Sequence, residues 1–320
     1  MTQNKKIQIL RAFAIIAVVM IHTGPRDMST IIIRPFINFA VALFIFLSGY
    51  MTPVKVEKLG EFYKKRLLRT IVPYILWTLV FAYIYGSWDK LGWNLLTANG
   101  SGAMYYMFVY MQFVLLTPLI GKLATSKWRW TGWLIAPVFT IIFEYLPRFA
   151  GVPMGTLMSI GENINCFVWF TYYYLGMLLG NDLLQKKYNS VKLIFVYIFT
   201  LALQMGEGYL WTMRGTYNVA TQVKLSVLLS ASVLLLLAHN YLRNPAWKWQ
   251  EHVLAKPLLW LGEYSFGVYF AHQVVMARVS LYLKFPFCLN SFVVIIIAFL
   301  GVFIVGKICG NKLSRYLGLK

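Results

Sequence analysis

The sequence predicts an all-α integral membrane protein, a bundle of about ten transmembrane helices. Of its 320 residues, 59% are apolar and only 12% are charged, whereas a soluble domain has about 45–50% apolar and about 25% charged residues. Hydrophobic runs of spanning length recur along the whole chain. We therefore expect a single membrane domain over residues 1–320, with no room for a separate soluble domain.

Ten hydrophobic runs approach the roughly 20 residues that a transmembrane helix requires. Several of them are bounded by Gly or Pro, as at Gly24-Pro25 and Pro53, which is typical of a chain that reverses at a membrane surface. The predicted spans, in chain order, are Ile7–Thr23, Arg34–Tyr50, Thr70–Gly86, Ala103–Ile120, Trp130–Leu146, Ile164–Gly180, Val191–Trp211, Thr221–Tyr241, Leu258–Leu283 and Leu289–Ile308.

The basic residues predict the orientation of these spans, because cytoplasmic loops are enriched in Lys and Arg. With both termini on the cytoplasmic side, the inner segments hold 22 of the 30 Lys and Arg residues and the outer segments hold 8. The 10 Asp and Glu residues divide evenly between the two sides. An even number of spans with both termini cytoplasmic is therefore expected.

Two other interpretations of the composition are excluded: a nucleic-acid-binding protein, and a protein held together by disulfides or a metal. A net charge of +20 is also typical of nucleic-acid-binding proteins, but these gather their cations on one polar face. Here the cations lie in short clusters between apolar runs, so no nucleic-acid partner is expected. The three cysteines, Cys166, Cys288 and Cys309, have no paired or CxxC spacing, so neither disulfides nor a metal site are expected.

The first predicted span carries two ionisable residues, Arg11 and His22. Eleven residues of helix make three turns plus about 20° and rise about 16 Å, so both side chains face the same way. An ionisable residue at membrane depth is a functional hypothesis by default. The structural alternative, a snorkelling Arg and a His that caps the outer helix end, stays open.

A second histidine, His272, lies in the ninth span, eleven residues or about 16 Å past Leu261. Because this span also runs from inside to outside, the two histidines are expected at similar depths. A polar side chain can also serve only to hold transmembrane helices together. A functional and a packing role are therefore both retained for His272.

A third group of residues is predicted at the cytoplasmic surface. The second span ends with Ser48-Gly49, and Arg66 and Arg69 share one helix face at the start of the third. Guanidinium groups match phosphate oxygens, and Ser-Gly offers a hydroxyl and a close backbone approach. These residues predict a site for a phosphate-bearing cytosolic ligand, although simple membrane anchoring would also explain the cations.

Together, the motifs of this chain resemble those of the bacterial membrane acyltransferase family 3. They follow in the family's order over nearly the whole chain: Arg11-x10-His22, the Phe46–Gly49 ending, Arg66-x-x-Arg69 before Pro73-Tyr74, Tyr174–Gly180 and Leu261–His272. The resemblance implies about ten spans and the transfer of an acyl group, usually acetyl from acetyl-CoA, to a carbohydrate outside the cell. It also implies essential roles for Arg11 and His22.

The donor and the catalytic group follow from this resemblance. Coenzyme A is polyanionic, so Arg11, Ser48, Arg66 and Arg69 are expected to bind its phosphates while the pantetheine arm threads the bundle. His22 would then deprotonate an acceptor hydroxyl or carry the acyl group transiently.

Three further residues receive expected roles. His272 is expected either to orient the catalytic histidine or to stabilise the oxyanion, and the two roles are left open. Glu144 and Tyr269 are expected to contact the acceptor, although Glu144 also fits a residue at the membrane edge.

The expected partners are acyl-CoA as donor substrate, a carbohydrate acceptor, the lipid bilayer and machinery that synthesises polysaccharide. No permanently bound cofactor is expected, and the expected location is the bacterial plasma membrane. The alternative function is a transporter or flippase for a glycolipid or polysaccharide intermediate. Such proteins often show internal repeats and discontinuous helices, and the sequence displays neither.

Overall fold

The structure is a computed structural model, and every regular element in its described part is a helix, which confirms the predicted all-α class. The described residues are 2–25, 27–152, 155, 164–184, 188–216, 219–282 and 286–319.

Fourteen α-helices are numbered here in chain order within those described ranges. They are α1 Thr2–Thr23, α2 Thr30–Ile33, α3 Ala40–Tyr50, α4 Leu59–Tyr85, α5 Leu91–Thr97, α6 Tyr105–Thr125, α7 Gly132–Thr140, α8 Leu146–Phe149, α9 Phe170–Gly180, α10 Ser190–Met213, α11 Leu225–Arg243, α12 Lys256–Glu263, α13 Ser265–Tyr282 and α14 Phe287–Tyr316. Short 3₁₀ turns precede some of them, at Arg34–Phe36 before α3 and at Cys166–Trp169 before α9.

Seven helical segments of the described chain are long and apolar enough to cross a membrane, which identifies a multi-pass membrane protein. They are Asn4–Thr23, Thr30–Tyr50, Leu59–Tyr85, Tyr105–Thr125, Ser190–Met213, Leu225–Arg243 and Phe287–Gly310. Each overlaps a predicted span. The third begins well before the predicted Thr70, because the polar stretch that precedes Thr70 is already helical.

The other three predicted spans coincide with shorter or interrupted helices. The fifth span is interrupted by a π-helix, Ile141–Tyr145, between α7 and α8. The sixth span corresponds to the shorter apolar segment Cys166–Gly180. The ninth is divided at Tyr264, between α12 and α13, and its predicted end, Leu283, lies outside the described residues. The count of ten spans and the cytoplasmic location of the termini therefore stay predictions.

Glycine allows α3 and α9 to pack backbone against backbone at the centre of the bundle. A Cβ at Gly176 would lie 2.2 Å from the carbonyl oxygen of Phe46, and one at Gly180 would lie 2.1 Å from that of Tyr50. Such approaches are open only to the smallest residue, and small residues are the usual contact points of membrane helices. The Tyr174–Gly180 motif of the sequence thus has a packing function.

Helix α1 is the helix around which the polar residues are arranged. It contacts α3, α12, α13 and α14, and its first half lies against α12, where a Cβ at Gly262 would be 1.9 Å from the carbonyl oxygen of Gln8. Arg11 and His22 are both partly buried on this helix. The packing therefore encloses α1 while leaving space at both of its ends.

Candidate functional site

Two polar cavities lie at opposite ends of α1. The Arg11 cavity has a volume of about 880 Å³; its polar lining includes Arg11, Ser48, Lys65, Arg66, Arg69 and Arg315. The His22 cavity has a volume of about 500 Å³; its lining includes His22, Arg34, Tyr105, Glu144, Trp169 and Gln222. The eleven-residue spacing of the sequence therefore corresponds to two separate sites on one helix face.

The Arg11 cavity brings together the four residues predicted to bind phosphate, although they come from three helices. Lys65 and Arg315 add two cations that the sequence analysis did not assign to this site, and Glu263 is the carboxylate among the lining residues. Lys65 is adjacent in sequence to the predicted pair. Arg315 gave no such signal, because it lies in the last turn of α14 and reaches the cavity only through helix packing.

Local contacts position the start of α4 at the mouth of this cavity. The Arg66 guanidinium donates a hydrogen bond to the Met51 carbonyl oxygen at 3.3 Å and lies 5.0 Å from the centre of the Phe62 ring. The segment that follows Ser48 is thereby tied to the helix that carries Arg69. The Arg69 guanidinium makes no hydrogen bond or ion pair within the described chain and lines the cavity, so it is available to a ligand.

Glu144 reaches the His22 cavity as one half of a buried ion pair. Its carboxylate Oε2 lies 2.7 Å from the Arg148 guanidinium, and the two side chains are 3% and 0% exposed. Glu144 belongs to the π-helix between α7 and α8, a distortion that occurs frequently at functional sites. The predicted acceptor-site carboxylate therefore borders the cavity with its charge balanced.

Asp27 supplies a second carboxylate at the mouth of the His22 cavity. It lies between the first two spans and is exposed to solvent. The Ser29 backbone N–H donates to its carboxylate at 2.9 Å, and the Ser29 hydroxyl donates to the same oxygen. These hydrogen bonds hold the pKa of the Asp27 carboxyl below its ordinary value. Asp27 therefore carries its negative charge at neutral pH.

A row of four aromatic rings extends from the lining of the Arg11 cavity to the lining of the His22 cavity. The centre of the Tyr269 ring lies 5.4 Å from that of Tyr106 and 5.9 Å from that of His272, and the His272 ring lies 5.2 Å from that of His22. The Tyr269 hydroxyl donates a hydrogen bond to the carbonyl oxygen of Ala103. Tyr269 lines the Arg11 cavity, whereas Glu144, the other residue expected to contact the acceptor, lines the His22 cavity.

His272 uses both of its ring nitrogens within α13. It is fully buried, and its Nδ1 lies 3.2 Å from the Val268 carbonyl oxygen, so this nitrogen carries the proton. Its Nε2 lies 3.0 Å from the Gln273 side-chain nitrogen, which is a donor, so Nε2 accepts. The contact between His272 and His22 is therefore ring packing between two helices.

The fold and the cavities define a class: a multi-pass membrane protein with ionisable residues enclosed at both ends of one central helix. Within this class, the family model described as an acyltransferase domain matches residues 4–309 of the chain. The chain belongs to acyltransferase family 3 and is a membrane acyltransferase, which confirms the resemblance seen in its motifs. No curated protein and no solved structure matches it.

Proposed function

We propose that this membrane acyltransferase moves an acyl group, most simply acetyl, from cytosolic acyl-CoA to a hydroxyl of a carbohydrate outside the cell. One observation carries the proposal: Arg11 and His22 lie on one helix, each lining a separate cavity. A charged donor can then be bound at one end of α1 while chemistry occurs at the other. The proposed location is the bacterial plasma membrane, with the Arg11 cavity facing the cytoplasm.

The charge of the Arg11 cavity supports coenzyme A as the carrier of the acyl group. Five cations and one carboxylate line it, and coenzyme A carries a pyrophosphate and a further phosphate. Guanidinium groups bind phosphate through pairs of parallel hydrogen bonds. The volume of about 880 Å³ also lies within the range of small-molecule sites, about 300–1,000 Å³.

In this proposal the uncharged pantetheine arm runs along α1, past the ring row, and delivers the thioester to His22. The rise from Arg11 to His22 is about 16 Å. A neutral imidazole can accept the proton of a hydroxyl group that attacks an acyl donor. His22 would remove the proton of the acceptor hydroxyl, and a transient acyl-histidine is the second route that this geometry allows.

The His22 cavity is the proposed acceptor site. Tyr105 and Trp169 offer flat apolar faces, and Asp27, Glu144 and Gln222 offer oxygen acceptors for sugar hydroxyls. A cell-surface polysaccharide or a glycolipid intermediate would present such hydroxyls. The machinery that synthesises this carbohydrate is the proposed partner in the cell.

The test is release of free coenzyme A from acetyl-CoA by the purified protein in nanodiscs, with a cell-surface polysaccharide as acceptor. We expect release by the wild type, loss of release by His22→Ala, and unchanged release by His252→Ala. His252 is a matched control because it is an exposed histidine in the loop before α12. Normal turnover by His22→Ala would refute the proposed base. Absence of release by the wild type with any acyl-CoA would favour the transporter alternative.

A further inference from the structure

The proposed acyl transfer requires a hydrogen-bond donor that is not yet assigned. When a hydroxyl attacks a thioester, the carbonyl oxygen becomes an oxyanion, and a donor placed beside it stabilises the transition state. His272 lies next to His22 but has no N–H left for this purpose, because Nδ1 donates to Val268 and Nε2 accepts from Gln273. Another group beside His22 must serve.

Arg34 occupies the appropriate place. It lines the same cavity as His22, and one of its guanidinium nitrogens donates to the carbonyl oxygen of Ile21 at 3.4 Å. Ile21 immediately precedes His22, and its carbonyl lies in the last turn of α1, where no helical N–H is available to it. Arg34 is thus held beside the proposed base by a backbone contact.

Among the described residues, Arg34 is the one Lys or Arg that lines this cavity, and its guanidinium retains free donors. Arg148 is paired with Glu144 at 2.7 Å, and the Lys224 ammonium donates to the Val219 carbonyl oxygen at 2.9 Å. No carboxylate of the described residues forms an ion pair with Arg34. Because a guanidinium has five N–H donors, one bond to Ile21 leaves several directed elsewhere.

We propose that Arg34 is a catalytic residue whose guanidinium donates hydrogen bonds to the thioester carbonyl oxygen as that oxygen becomes negative. This inference rests on the acyl transfer proposed above. His22 takes the proton of the acceptor hydroxyl, the hydroxyl oxygen bonds to the carbonyl carbon, and the C=O π electrons move onto the oxygen beside Arg34. The intermediate then collapses: the C=O bond re-forms, the C–S bond breaks, and the coenzyme A thiolate takes the proton from His22.

The experiment compares Arg34→Gln and Arg34→Lys with the wild type in the coenzyme A release assay. Removal of one oxyanion donor lowers kcat by about 10²–10³-fold. We expect a fall of this size for Arg34→Gln, with KM for both substrates within about twofold, and a smaller fall for Arg34→Lys. The slow hydrolysis of acetyl-CoA without acceptor should fall in parallel, because attack by water forms the same oxyanion. Arg214→Gln, which removes an exposed arginine after α10, should have no effect.

A structural role for Arg34 is separated from a catalytic one by chemical rescue. Guanidinium ion added to the Arg34→Ala variant should restore part of kcat, and should leave the His22→Ala variant inactive. Unchanged kcat in Arg34→Gln would overturn the inference. So would a rise in acceptor KM with unchanged donor hydrolysis, because that result would make Arg34 an acceptor-binding residue. A wild-type protein that releases no coenzyme A would instead refute the proposed function itself.

Discussion

Arg11 and His22 show how much a local pattern can determine at the scale of single residues. Their common face follows from the helical repeat alone, and the structure places them in two cavities at the two ends of that face. Arg34 gave no comparable signal. It is a single cation at the start of a predicted span, and only the packing of its 3₁₀ turn against the end of α1 brings it beside His22.

The residue-scale prediction concerns Arg69. Arg69→Gln should raise KM for acetyl-CoA about tenfold, equivalent to about 1.4 kcal/mol of binding free energy, with little change in kcat. The reason is the loss of one of the guanidinium groups in the Arg11 cavity that are proposed to bind the coenzyme A phosphates. Steady-state kinetics at varied acetyl-CoA concentration provide the measurement. Lys64→Gln removes an exposed cation from the preceding turn of the same helix and is the matched control.

The donor itself supplies a second control for Arg69. Acetyl-pantetheine carries the same thioester without the phosphates, so the wild type and Arg69→Gln should use it with equal KM. Equal impairment with both donors would show that Arg69 does not contact phosphate.

At the scale of elements, the sequence identified helices better than their interruptions. Long apolar runs such as the one in α10 carry their own signal, because hydropathy is additive along the chain. The break at Tyr264 between α12 and α13 and the π-helix Ile141–Tyr145 follow no hydrophobic period, so the predicted spans crossed them unbroken. The glycines of the contact between α3 and α9 were visible in the sequence as part of the Tyr174–Gly180 motif. Only the packing showed that their role is to let two helix backbones approach closely.

The element-scale prediction concerns the contact between α3 and α9. Gly176→Ala should destabilise the protein by about 1–3 kcal/mol, because its methyl group would lie 2.2 Å from the Phe46 carbonyl oxygen and force two backbones apart. Gly206→Ala in α10 is the control, since its Cβ would meet nothing within 4 Å, and alanine favours helix by up to about 1 kcal/mol. When thermal unfolding is measured in detergent, only Gly176→Ala should have a lower Tm than the wild type. Equal Tm shifts would contradict the close packing.

At the scale of the whole molecule, the charge distribution predicts an orientation that the fold by itself does not establish. In the proposed reaction, the Arg11 cavity faces the cytoplasm, where acyl-CoA enters it, and the His22 cavity faces outward to a surface carbohydrate. The two cavities at opposite ends of α1 agree with such a two-sided reaction. The direction of α1 across the membrane decides which substrate meets which cavity.

The native cysteines of α14 test this direction. If both termini are cytoplasmic, this helix begins at the outer surface, so a membrane-impermeant maleimide applied to intact cells should label Cys288, which is exposed. Cys309, more than five helical turns further along, should be labelled only after the membrane is opened. The measurement uses two variants that each keep one of these cysteines, with Cys166→Ser in both. Labelling of Cys309 but not Cys288 in intact cells would reverse the orientation.

The sequence by itself determined the all-α membrane class, the common face of Arg11 and His22, and the family, because hydropathy, helical period and motif order are properties of neighbours along the chain. The tertiary structure alone decided that Arg315 joins the Arg11 cavity, that the His272 ring packs on His22, and that Arg34 lies beside the proposed base. These contacts join residues on different helices. Their distances depend on how closely and at what rotation the helices pack, which no local pattern specifies.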